Sequence, residues 1–443
     1  MTRSLEGSRF FIKTFGCQMN ENDSEHIAGL LAGAGAAKAA SLEDSDIVIV
    51  NTCAVREKSE EKADSFLGRL TALQKDRDVV LVVAGCSAQL RRGELLRRKP
   101  RIDLVVGPGR YHELPALVAE RGRVGRVATG RSREWREMGA DATLREDPTS
   151  AYVPIMEGCD NFCAYCVVPF ARGREKCRPM ESVLAEVADA AERGYKEVQL
   201  LGQNVNSYRD PGTGAGFADL LDRVSRIGGI AWVRFLTSHP RDLGPEIARV
   251  MADRPTVCRQ LHLPLQSGSS AVLERMNRGY TRAGYMEKIA MLKALMPDIR
   301  LSTDIIVGYP GETEADFEET LAALDEVGFD NIFSFRYSPR PRTAAAKLPD
   351  DVPPEVKRRR LVALQDRQKR LQLERNRSLV GTIVRVLGTG VSRKGGGRFT
   401  GRSEGSQVVN FTAPEDVRGR FVDVLITDCG PYSLIGEAAG ADR

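Results

Sequence analysis

The chain has 443 residues, 42% of them apolar and 28% charged, and carries a net charge of +5. That length suits two or three domains, and the composition is that of an ordinary soluble protein with enough core to fold unaided. The longest apolar runs, such as "DIVIVN" and "VVLVVAG", are of strand length, which excludes a bilayer-spanning helix.

The start, "MTRSLEGSRFF", has no apolar signal core, so the expected location is the cytosol. From about residue 8 to 125 strands and helices alternate. "RFFIKTFG", "DIVIVNT", "VVLVVAG" and "IDLVVG" are β-rich, and "NDSEHIAGLLAGAG" and "SEEKADSFLGRLTAL" between them have helical character. This pattern predicts an open parallel sheet with helices on its faces. Cys17, Cys53 and Cys86 each lie one or two residues past a different strand. Ligands bind along the carboxyl edge of such a sheet, so three cysteines scattered in sequence are expected to converge there.

Residues 125–150 are polar and aperiodic and suit a linker. A second alternating series, placed at 145–376, has strand candidates "AYVPIMEG", "EVQLLGQN", "WVRFLTSH", "CRQLHLPLQ", "IRLSTDIIVGY" and "NIFSFRYSP". Helical stretches at 181–193, 282–295 and 313–326 separate them, and six such units predict a partial (β/α)6 barrel. The loops after its strands hold Cys159–Cys166, Gln203-Asn204, Ser238-His239, Gln266-Ser267, Gly308–Glu312 and Arg336-Tyr337.

After "PDDVPPEV" comes a basic helix. From Glu355 to Arg377 nine Lys/Arg face three acids, a local excess of +6, which suits a polyanion such as RNA or a solvated helical face. Leu361, Leu364 and Leu371 are candidates for its packed side. Residues 378–440 change texture to short strands with Gly-rich turns, which predicts a small β-barrel. Its charge is nearly balanced, eight Lys/Arg against seven acids from Ser378 onward, so electrostatics alone assign it no partner.

Nine cysteines in a reducing compartment point to metal or redox chemistry rather than to disulfides. Cys159, Cys163 and Cys166 form a C-x3-C-x2-C cluster in "MEGCDNFCAYCVVPFARG". A structural zinc site normally closes with four protein ligands, and Cys177, eleven residues on, is a poor fourth. Three thiolates with an open position better suit an iron–sulfur cluster whose unique iron binds a small molecule. A zinc-bearing RNA-binding module is the alternative from another class.

The spacing, just past the first strand of a βα series, resembles the radical S-adenosylmethionine (SAM) enzymes. There the unique iron chelates SAM, and electron transfer generates a radical that abstracts hydrogen from an unreactive carbon. With its second triad, nearly the whole chain resembles the methylthiotransferases, built from an N-terminal three-cysteine domain, a radical SAM core and a TRAM domain. "GCQMNENDSE", "NTCAVREKSEEK", "EGCDNFCAYCVVPFARGRE", "LLGQNVNSY", "LSTDIIVGYPGETEADF", "FSFRYSPRPRT" and "GRSEGSQVVNF" look like the bacterial branch acting on isopentenylated adenosine in tRNA. Sister branches act on threonylcarbamoyl-adenosine or on a ribosomal-protein aspartate; the latter typically shows "GCPKN" at the first cysteine.

The resemblance implies two 4Fe-4S clusters, on Cys159/Cys163/Cys166 and on Cys17/Cys53/Cys86, the second supplying sulfur. It implies two SAM molecules, a flavodoxin- or ferredoxin-like electron donor, and tRNA as substrate, modified at C2 beside the anticodon. A monomer is expected, with no membrane partner. Gly202, Gln203 and Asn204 match the segment that meets SAM, Gln266 and Ser267 are further candidates, and Arg172 suits its carboxylate or an RNA phosphate. His239 and His262 near the rim receive no role. One departure stands out: "SPRPRTAAAKL" has Arg342 and Ala344 where relatives tend to show Gly and Pro.

Overall fold

The computed structural model describes residues 5–55, 57–73, 77–99, 101–120, 125–132, 134–135, 143–392, 395 and 397–440. The first unit is a parallel sheet of β1 (Arg9–Phe15), β2 (Ala37–Lys38), β3 (Ile47–Thr52), β4 (Val80–Ala84), β5 (Leu104–Val106) and β6 (Arg126–Ala128), in the order β2-β1-β3-β4-β5-β6. The short edges β2 and β6 are additions to the four expected strands, and β6 falls inside the stretch expected to be linker. Every residue of β3 is buried, as a central parallel strand covered on both faces requires. On one face Ile47, Ile49 and Val82 pack against Ile27 and Leu31 of helix α1 (Gln18–Gly33). On the other, Val48, Val50 and Val83 meet Phe66 and Leu67 of α2 (Glu57–Leu73) and Ala88 of α3 (Cys86–Arg91). Helices α4 (Gly93–Arg98) and α5 (Leu114–Ala119) complete the layers.

The second unit has six parallel strands: β7 (Ser150–Pro154), β10 (Glu197–Leu201), β11 (Trp232–Phe235), β12 (Gln260–His262), β13 (Arg300–Val307) and β14 (Asn331–Arg336). They form two three-stranded sheets, β7-β10-β11 and β12-β13-β14, joined by a parallel bridge between Val233 and Val257. Between β7 and β10 a two-residue antiparallel ladder of β8 (Met156–Glu157) and β9 (Lys176–Cys177) pins the cysteine loop, which also holds the short helix α6 (Val168–Ala171). Helices α7 (Met180–Glu192), α8 (Phe217–Val224), α9 (Pro245–Asp253), α10 (Ser270–Arg275), α11 (Arg282–Leu295) and α12 (Glu314–Val327) clothe the outside. In β13, Leu301, Thr303, Ile305 and Val307 are buried beneath the helices, while Arg300, Ser302, Asp304 and Ile306 alternate toward a half-open lumen.

Helix α13 (Pro354–Arg377) buries Leu364 in the barrel core, with Leu361 and Leu371 beside it. It leads into a closed five-stranded barrel, β15 (Ile383–Val391), β16 (Phe399–Ser403), β17 (Val408–Thr412), β18 (Phe421–Cys429) and β19 (Leu434–Ala438). Val386, Val409, Phe411, Val424, Ile426 and Leu434 fill it.

The flanking units occupy different ends of the central barrel. The small barrel docks where β11, β12 and β13 begin. Trp232 stacks edge-on against Phe421 at 4.7 Å, Arg234 donates to the Ser403 carbonyl at 2.8 Å, and Arg259 N donates to Glu404 at 3.2 Å. The first unit lies along edge strand β7 and over the loops that follow the strands. Asn22 donates to the Tyr152 carbonyl at 3.5 Å, and Arg340 pairs with Glu60 at 2.8 Å and donates to the Val55 carbonyl.

Candidate active site at the barrel rim

Cys17, Cys53 and Cys86 follow β1, β3 and β4, three neighbours in the first sheet, so chain topology alone brings them to one edge. Cys17 caps the N-terminus of α1, and Cys86 opens α3. The Cys53 thiol hydrogen-bonds Cys17 and draws its pKa below the ordinary thiol value, while Cys53 itself is pushed up. Burial raises Cys86 to about 11, offset in part by Arg172. Asn20 and Asn51 brace the edge: Asn51 Nδ2 donates to the Asn20 carbonyl at 2.8 Å and to Ser24 Oγ at 2.9 Å. Gly85, before Cys86, has φ +98°, and a Cβ there would lie 2.4 Å from Asn51 Oδ1. A glycine is therefore required for β4 to turn into α3 at this point.

Cys159, Cys163 and Cys166 lie on the loop after β7 and β8; burial first, then the neighbouring Cys163, raises the pKa of Cys159 and Cys166. Gly158, at φ +86°, lets this loop cross the Arg174 carbonyl, which a Cβ would meet at 2.1 Å. Arg278 holds the loop from within. Its guanidinium donates to Cys163 Sγ at 3.3 Å, to Tyr165 Oη at 3.3 Å and to the Pro264 carbonyl at 3.1 Å. Ala164 N donates to the Met276 carbonyl at 2.8 Å, and Asn277 Nδ2 to the Phe162 carbonyl at 3.1 Å. This clasp, "MNRG", carries no recognisable pattern and escaped the sequence reading. Cys177 sits in the β8–β9 ladder, where its sulfur accepts from Arg209 N, and Cys258 is buried against Trp232.

The residues expected to meet SAM divide into two groups. Asn204 donates to Asp242 at 2.7 Å and leaves its Oδ1 buried without a protein partner. Gln266, in the left-handed region at φ +71°, likewise leaves Oε1 unpartnered, and Ser238 Oγ, His239 Nε2 and the Asn206 amide join them. These atoms lie on the loops after β10, β11 and β12, beside the cysteine loop. Unsatisfied buried polar atoms are costly, and their gathering at one rim suits a polar ligand. Gln203 instead accepts from Gly158 N, bracing the cysteine loop. Ser267 bonds Thr320 and Ser269, and Gly202 accepts from Thr237 Oγ1 at 2.7 Å through its carbonyl. Arg172 faces the other triad, pairing with Asp23 at 2.5 Å and Glu157 at 3.2 Å.

The donor sets fit the clusters the sequence implies: three soft sulfurs each, no disulfide among the described residues, and unpaired polar atoms beside one triad. Among the described residues no three His, Cys, Asp or Glu side chains close on a single ion. Ligands of a cluster differ in that each holds its own iron. The two triads meet through one apolar contact, in which Ala54 and Cys86 pack against Val167 and Ala171 just beyond Cys166. Below the rim the lumen is polar. His262 Nδ1 shares a hydrogen bond with Ser302 Oγ at 3.0 Å, its Nε2 lies 3.5 Å from Asp304, and Phe333 stands edge-on to it.

Three family models match the chain: Uncharacterized protein family UPF0004 over residues 9–107, the Radical SAM superfamily over 153–324 and the TRAM domain over 377–439. Curated relatives named tRNA-2-methylthio-N(6)-dimethylallyladenosine synthase are similar over nearly their whole length. The protein from Geobacter metallireducens is 45% identical, covering 97% of this chain and 98% of the relative. That from an Acidovorax species is 46% identical, covering 97% of each. Among solved structures, the radical S-adenosylmethionine methyltransferase TsrM from Kitasatospora setae superposes with a TM-score of 0.55 at 15% identity, covering 76% of this chain and 77% of that one, a likeness of fold alone. The three matched domains, in order, and the full-length identity lead to one conclusion: the chain belongs to the radical SAM tRNA methylthiotransferases, among the tRNA-2-methylthio-N(6)-dimethylallyladenosine synthases.

Proposed function

We propose that the chain adds a methylthio group to C2 of N6-isopentenyladenosine beside the anticodon of tRNA, consuming two SAM molecules. In this reading Cys159, Cys163 and Cys166 hold the 4Fe-4S cluster that engages SAM, and Cys17, Cys53 and Cys86 hold a second. When bound, the first supplies the electron that cleaves SAM and the second the sulfur to be transferred. The observation that carries the reading is the opposition of the two triads, with Cys86 packed against the loop that bears Cys166.

The chain's own residues then position and enclose. Arg278 donates to the Cys163 sulfur and fixes the loop's height above the lumen. The unpaired atoms of Asn204, Ser238 and Gln266 orient SAM, and Gln203 keeps Gly158 and its cysteine in register with β10. The first unit closes over the rim through Arg340–Glu60 and Arg172–Asp23, which shields a reactive intermediate from water. A base drawn out of the anticodon loop would enter the polar lumen beside His262, Asp304 and Phe333. The reaction needs single electrons that no residue here supplies, so the reading includes a flavodoxin- or ferredoxin-like donor. It also takes the protein as a cytosolic monomer, in a compartment where thiols stay reduced.

Nucleoside analysis of tRNA from a strain lacking the gene tests the assignment. Methylthiolated isopentenyladenosine should be absent there and restored by the wild-type gene. Its persistence in the deletion strain would overturn the substrate assignment.

A further inference from the structure

A buried guanidinium lies beside each triad, and the two come from the same unit. Arg278, 4% exposed, serves Cys163 in its own barrel. Arg172, 5% exposed, follows α6 on the loop of the barrel triad, where its neighbour Ala171 packs against Cys86, yet its guanidinium crosses to α1, the helix that Cys17 caps. Asp23 of α1 receives both of its terminal nitrogens, at 2.5 and 3.4 Å, although the two residues are separated by 149 positions. Glu157 accepts from its Nη1 at 3.2 Å and is itself paired with Lys176 at 2.8 Å. Tyr111 donates to the same Asp23 carboxylate at 3.4 Å.

This arrangement is more than a fastening between units. A surface salt bridge would fasten them without burying three charges and half-burying a fourth, which is costly unless the geometry gives something in return. Hydrogen bonds and charge beside cluster sulfurs are a principal means of setting a cluster's reduction potential.

We propose that Arg172 is a positioning residue of the Cys17/Cys53/Cys86 cluster, lent by the barrel, and that it raises that cluster's reduction potential once the two units are docked. The sulfur-supplying site is thereby complete only against the loop that binds SAM. The inference rests on the two-cluster reading above.

The test uses the full chain with Cys159, Cys163 and Cys166 replaced by alanine, reconstituted anaerobically with ferrous iron and sulfide so that only the second site can load. Redox titration followed by electron paramagnetic resonance reads its midpoint potential. Arg172→Gln keeps a donor for Asp23 but removes the charge. It should shift the reduction equilibrium about tenfold toward the oxidised form, or 59 mV for one electron. Arg172→Lys should restore most of that shift, and Arg278→Gln should leave the potential where it was. If Arg172→Gln does not fold, the double variant Asp23→Asn/Arg172→Gln, which removes both buried charges, should show a smaller shift of the same sign. An unchanged potential in the foldable variant overturns the proposal and leaves the two-cluster reading standing. If no cluster forms in the parent at all, both fall.

Discussion

At the scale of single residues, the two triads are chemically alike but should fail differently. Cys163→Ala removes the thiol that Arg278 meets and, on the proposed function, should abolish both 5′-deoxyadenosine release and modification. Cys53→Ala should retain SAM cleavage while no methylthiolated nucleoside forms, with both products read from the same reaction by liquid chromatography. Equal loss of cleavage in the two variants would contradict the division of labour. Arg342 is a second residue whose meaning emerges in three dimensions. It sits at φ +71°, a left-handed conformation that costs a side-chain-bearing residue roughly 1–2 kcal/mol, which is a physical reason for relatives to favour glycine there. Arg342→Gly should stabilise the protein by about 0.5–1 kcal/mol once glycine's extra unfolded-state entropy is subtracted, measurable by urea denaturation. The cysteines were legible from spacing and strand ends. Arg278 was not, because it reaches Cys163 across 115 residues of chain with no local pattern to mark it.

At the scale of elements, α1 and α13 each carry charge whose effect depends on what they face. His26 of α1 is buried near Arg178 and Arg145, and burial first, then those cations, depress its pKa to about 4. Between pH 6.5 and 4 the unfolded chain therefore takes up a proton that the folded chain refuses. The contribution of His26 to stability should fall on acidification through that window, by up to roughly 3 kcal/mol. Burial raises Asp23 to about 6 and Glu25 to about 7, so these two act oppositely and lose stability as pH rises through their range. Thermal melts at pH 7, 6 and 5 should show the two carboxyls outweighing His26 in the wild type, and His26→Gln should gain stability relative to the wild type as pH falls. Helix α13 explains why its nine cations overstate a polyanion site. Lys357, Arg359, Arg360, Arg367 and Arg375 pair with Asp350, Glu314, Glu312, Asp325 and Asp330 of the barrel and its flank. Arg358, Lys369, Arg370 and Arg377 are the exposed remainder. Lys369→Ala/Arg370→Ala should lower the slope of log affinity for tRNA against log salt by about 1 to 2. Arg360→Ala should leave that slope alone and cost about 3 kcal/mol of stability, since it strands the buried Glu312.

At the scale of the whole molecule, the sequence by itself determined the order of the units and their longer strands, while the short β2, β6, β8 and β9 emerged only in the structure. Hydrophobic alternation and glycine punctuation are local signals, and each strand of β7 and β10–β14 stands where they placed it, as does the small barrel as a whole. It also determined where the six cysteines fall, three on one loop and three after neighbouring strands, since both spacings are properties of the linear chain. Only the tertiary structure decided how the units meet. The small barrel docks at the start of β11–β13, the end of the lumen away from the cysteines, through Trp232, Arg234 and Arg259. The first unit covers the opposite rim, and that docking pairs Arg172 of the cysteine loop with Asp23 of the first unit. Such contacts join residues more than a hundred positions apart through buried charge and ring packing. They depend on the relative placement of finished domains, for which no periodicity or spacing in the chain provides a signal.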